Sequence, residues 1–124
     1  MDRQLLENIL VTALEGGSNY WYHINSANHK KVRDVVAKSD DPYFATAMLT
    51  AILDHGVQIE VHDIENPDEV LGVLTTKKIE EGLYAAEMSL DYGWAYEAEQ
   101  NGTGDAETSD ILFQHFVIGE VWFS

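Results

Sequence analysis

The chain of 124 residues contains no cysteine. Disulfides, thiolate nucleophiles and thiolate zinc sites are therefore excluded, and such a chain suits a reducing compartment. Only two prolines occur, and there is no low-complexity stretch or internal repeat. No apolar run approaches the roughly 18 residues of a membrane span. The start, Met-Asp-Arg-Gln-Leu-Leu-Glu, lacks the basic head and apolar core of a signal peptide. The expected location is the cytoplasm, with no membrane partner.

Positive charge is the scarcest commodity. Seven Lys and Arg stand against 22 Asp and Glu, for a net charge of −15. Residues 39–124 hold only two bases, Lys77 and Lys78, and none follows them. Phosphate binding needs clustered bases, so bare nucleic acid is an unexpected ligand. A basic protein surface would instead be attracted and steered.

What is present is an ordinary core. Apolar residues make up 45% of the chain, enough for one globular domain of this length. Apolar spacing predicts a helix over 2–15, capped by Asp2 and stopped by Gly16-Gly17. Tyr20-Trp21-Tyr22, within 19–24, reads as a short strand with Tyr20 and Tyr22 on one face and Trp21 on the other. Residues 25–41 read as loop with a helical turn. Asp40-Asp41-Pro42 predicts the start of a helix to Asp54, ended by Gly56. Strict alternation over Val57–His62 and a return over Val70–Leu74 predict a hairpin across Asn66-Pro67-Asp68. Thr75 or Thr76 should cap a helix to Met88, although Gly82 interrupts it. A short helix and a loop are expected over 91–104. Asp105 should cap a last helix over 106–118, with Ile111, Leu112, Phe116 and Val117 buried. Glu120–Phe123 could add a terminal strand and an edge for homodimerisation. The sum is an α+β fold: a small antiparallel sheet of three or four strands covered by about four helices on one face, in a single domain over 1–124.

No catalytic motif stands out. The five histidines lack a paired metal spacing, although His55 and His62 could meet with Asp54, Asp63 and Glu65. No phosphate loop, nucleophile elbow or EF-hand is present. No catalytic residue, metal or cofactor is assigned, and a carboxylate–histidine enzyme is the weakest reading. The main candidate is a partner-binding surface of Glu80, Glu81, Glu87, Asp91, Glu97 and Glu99 with Tyr92, Trp94 and Tyr96. Such acids can imitate the phosphates of nucleic acid, and the aromatics can anchor a basic or arginine-rich partner. The alternative is a small-ligand pocket of Tyr20, Trp21, Tyr22, Lys30, Lys31 and Arg33.

Three segments carry a resemblance: Thr12-Ala13-Leu14-Glu15-Gly16-Gly17-Ser18-Asn19-Tyr20-Trp21, Ile79-Glu80-Glu81-Gly82-Leu83, and the tail from Asp105-Ala106-Glu107-Thr108 to Ile118-Gly119-Glu120-Val121. They resemble a group of small acidic proteins encoded by bacteriophages and prophages, over most of the chain outside 25–41. No activity is assigned to that group, so no residue role carries over. The resemblance implies expression in a bacterial cytoplasm and binding to host machinery, defence nucleases included.

Overall fold

The computed structural model describes residues 1–124. It is an α+β fold with six α-helices and one three-stranded antiparallel sheet in the order β1-β2-β3. Helix α1 spans Arg3–Thr12, and the Asp2 carboxylate accepts from the Leu5 amide at 3.2 Å. It runs into a π-helical turn, Ala13–Gly17, rather than stopping in a plain α-helical end. Strand β1 is reduced to Tyr22–His23, because Asn19–Trp21 form a turn.

Helix α2, Ser26–Val35, occupies the stretch read as loop. Its sequence is polar on nearly every face, with Asn28 and Val32 its only buried residues, so no apolar stripe announces it. Capping does: the Asn25 side chain accepts from the Asn28 amide at 3.0 Å. Helix α3 then starts at Phe44, two residues after Pro42. The shift has a local cause. The Arg33 guanidinium draws the carbonyls of Asp41 and Pro42 toward α2, at 2.6 and 3.3 Å, and away from helical geometry. Gly56 closes α3 at His55 with φ of 66°, a left-handed conformation that suits glycine.

Strands β2 (Ile59–Asp63) and β3 (Val70–Leu74) form the expected hairpin. Ile59 and Val61 point inward, as alternation requires, but His62 is buried next to Val61. A register shift between Val61 and His62 explains the break in alternation. Helix α4 (Thr76–Met88) is capped by the Thr75 hydroxyl, which accepts from the Lys78 amide at 3.1 Å. Helix α5 covers Gly93–Gln100, and α6 covers Ala106–Val117 behind a capping box of Asp105 and Thr108.

Helix α6 is the centre of the molecule. Every residue from Thr108 to Val117 is buried, and α1, α4, α5 and β3 all pack on it. Its neighbours approach closely enough that glycine is required where they touch. Gly82 of α4 lies against the His115 carbonyl, and Gly72 of β3 against that of Val117. Glycine in α4, which weakens a helix seen alone, is what lets α4 and α6 meet.

The tail is not a strand. Glu120–Phe123 pairs with no sheet and offers no edge for a second copy. The Gln114 side chain holds it instead. Its Oε1 accepts from the amides of Trp122 and Phe123 at 2.8 and 2.9 Å, and its Nε2 donates to the Phe123 carbonyl at 3.0 Å. One side-chain amide thus satisfies the backbone groups that a sheet partner would have taken.

Candidate partner-binding face

Helix α4, the linker Ser89–Tyr92 and helix α5 carry most of the acids singled out above. Glu80, Glu81, Glu87, Asp91 and Glu97 are exposed. Only Glu81 meets a base, Lys77 at 3.8 Å, in an exposed bridge of the kind that contributes little. Among these acids stand four large apolar side chains that the fold leaves uncovered. Tyr84 is 66% exposed, Met88 62%, Leu90 fully and Trp94 49%. Glu80, Tyr84 and Met88 follow one another at four-residue spacing, so they share one stripe of α4. Trp94 is held back toward the linker, because its indole N–H donates to the Asp91 carbonyl at 2.9 Å.

The other candidates have inward duties. Glu99 turns toward the start of α6, where its Oε1 accepts from the hydroxyls of Thr108 and Ser109 at 2.7 and 2.8 Å. A carboxylate there also complements the helix dipole, so Glu99 is spent inside the fold. Tyr92 is half-buried edge-on to His115, with ring centres 5.9 Å apart. Tyr96 is half-buried and accepts from Gln100 at 2.7 Å. Sequence reasoning passed over Tyr84, Met88 and Leu90, although the four-residue spacing of Tyr84 and Met88 on a face otherwise acidic was a readable signal.

The aromatic triplet is divided differently from a strand. Because residues 19–21 turn, Tyr20 and Trp21 reach the same acid rather than opposite faces. Asp110 of α6 accepts from the Ser18 hydroxyl and the Trp21 indole at 2.7 Å each, from the Tyr20 hydroxyl at 2.5 Å and from Gln114 at 3.2 Å. Trp21 is 2% exposed and stacked on Phe123 at 5.2 Å, so it belongs to the core. Tyr22 donates to the Leu14 carbonyl at 2.8 Å. Burial, then the bond to and charge of Asp110, push the Tyr20 phenol above its usual range. Burial alone raises Tyr22. In an alkaline absorbance titration these two are expected to ionise above the usual tyrosine range. Their ionising early would mean that the turn is open in solution.

The basic residues of the alternative pocket are partly committed. Lys30 bridges Asp34 at 2.9 Å, Lys31 donates to the Gln58 carbonyl at 3.2 Å, and Arg33 holds Asp41 and Pro42. His62 meets one acid, Glu60, and does not gather with His55, Asp54, Asp63 and Glu65 into a cluster. The His62 ring lies between the Pro67 carbonyl at 2.7 Å, the Glu60 carboxylate at 3.2 Å and the Asn25 amide at 3.3 Å. No three His, Asp or Glu side chains converge on a point that could hold a metal ion. No helix is long and apolar enough to cross a membrane. Comparisons with protein-family models, with curated proteins and with solved structures give no match, so the reading of function rests on this geometry.

Proposed function

We propose that this protein is a non-enzymatic binding protein whose α4–α5 face occupies a basic, nucleic-acid-binding surface of another protein. One observation carries the reading: Tyr84, Met88, Leu90 and Trp94 are exposed on the same two helices and linker that carry the exposed Glu80, Glu81, Glu87, Asp91 and Glu97. Acidity that served only to keep the chain dispersed would have no use for uncovered apolar side chains, which are a liability for solubility. A partner-binding face has a use for both. The carboxylates steer a basic surface and set the register, while the apolar side chains supply the desolvated centre. If the three segments noted in the sequence do place the chain among phage and prophage proteins, the target is a bacterial nucleic-acid-binding protein such as a defence nuclease.

The test is an affinity capture from bacterial lysate at low and high salt, followed by competition. The captured protein should bind nucleic acid, leave the complex as salt rises, and lose its nucleic acid when this protein is added. Leu90→Ser combined with Trp94→Ala should weaken the complex by about 100-fold or more, two hot-spot contacts being removed, with the thermal midpoint unchanged. Affinity indifferent to salt, or to this double substitution, would refute the reading.

A further inference from the structure

Four of the seven bases lie between residues 30 and 38, and the fold sets three of them around one end of a groove. The His29 ring stacks on Phe44 at 3.9 Å, with 20° between the planes. The Arg33 guanidinium lies 6.0 Å from the centre of the Phe44 ring. His29 and Phe44 line two adjoining hollows in common. The first, of 480 Å³, is walled chiefly by carbon from Leu14, Tyr22, Ile24, Ala45 and Ile64, with Glu15, Asn19 and His23 as its polar edge. The second, of 530 Å³, is walled by Ser26, Lys30, Arg33 and Lys38. Each is of a size that accepts a small ligand.

The two ends differ in chemistry in a way that defines an occupant. Arg33 is fixed by the Asp41 and Pro42 carbonyls, so it shapes the rim and keeps its charge there. Lys30 is held only by an exposed bridge to Asp34, and Lys38 forms no ion pair. Burial, then the charges of Arg33 and His23, lower the His29 pKa, which favours a neutral, flat ring beside the cations. We infer that this groove binds a phosphorylated aromatic molecule of the mononucleotide class, its ring in the carbon-lined hollow and its phosphate at Lys30 and Lys38. A phosphate monoester can engage two ammonium groups and a hydroxyl at once through charge-assisted bonds. Its ring would bury against Tyr22 and Phe44. The site shares no residue with the α4–α5 face, so its fate is independent of the function proposed above.

Amide NMR spectra and calorimetry of the intact protein decide the matter. The probes are AMP, GMP, CMP and UMP, with the parent nucleosides and inorganic phosphate as separate arms. At least one monophosphate should shift the resonances of Tyr22, His29 and Phe44. It should also bind about tenfold or more tighter than its nucleoside or than phosphate. Lys38→Glu should weaken that binding by about tenfold or more while leaving the thermal midpoint in place. The inference is overturned if none of the four monophosphates moves those resonances, if nucleoside or phosphate alone binds as well, or if Lys38→Glu leaves the affinity unchanged.

Discussion

Replacing Asp110 with alanine is expected to lower the unfolding free energy by about 3–5 kcal/mol, since each buried donor left without a partner costs about 1–3 kcal/mol. Ser18, Tyr20, Trp21 and Gln114 all lose an acceptor at once. Water could reach Tyr20, which is partly exposed, but not Ser18 or Trp21, which are buried. Asp110→Asn should cost less. Its carbonyl oxygen can still accept from Ser18 and Trp21, and its amide can donate to the Tyr20 oxygen. It then opposes the Gln114 amide, donor to donor, and puts the clasp on the tail under strain. For a chain of this size the alanine variant should melt about 10–20 °C lower, measured by calorimetry, with the asparagine variant in between. A loss under about 1 kcal/mol for Asp110→Ala would mean that water fills the network.

The second large effect is one of sign. In an exposed helix, Gly→Ala stabilises by about 1 kcal/mol. At Gly82 the same change is expected to destabilise by about 2–3 kcal/mol, because overpacking exceeds the gain in propensity. The added methyl would meet the His115 carbonyl oxygen at 2.5 Å and the Phe116 Cα at 2.9 Å. These are backbone atoms of the central helix and cannot rotate away. Gly16→Ala is the control: nothing lies within 4 Å of that position, so its effect should stay within about 0.5 kcal/mol. Denaturant unfolding of the two variants checks both. A stabilised Gly82→Ala protein would show that α4 and α6 are not in close contact.

These positions also show what could and could not be read from the sequence. Thr75, Asp105 and Gly56 mark helix ends by local chemistry, and the structure places caps at each. The hairpin was legible because Ile59 and Val61 alternate with polar residues. Helix α2 was not, because its burial is confined to Asn28 and Val32, and Asn28 is held by a polar role: it donates and accepts around Asn25 and Glu60. Pro42 misled because the pull of Arg33 on its carbonyl is a contact between elements. The tail misled because Val121 and Phe123 alternate like a strand, while the group that satisfies their segment is the side chain of Gln114. Asp110 was one acid among 22. Three of its four donors lie about 90 positions earlier in the chain, and no spacing rule spans that distance. Of the candidate face, the acids were legible from charge alone. Trp94 was legible as well, and Tyr84 and Met88 left a four-residue spacing that went unread; Leu90 stood out only once the core had been assigned.

The central place of α6 has a consequence for the order of events during synthesis. The N-terminal helix α1 and the turn after it pack on α6, and Trp21 depends on Asp110 for its indole partner. Residues 3–21 therefore wait for residues 106–117 to complete their packing. Leu5, Leu6, Ile9 and Leu10 can pack on α3 first, but their cover is complete only once residues 106–117 are in place. Until then part of the apolar face of α1 stays open to solvent, and the negative charge of residues 39–124 opposes association between such incomplete chains.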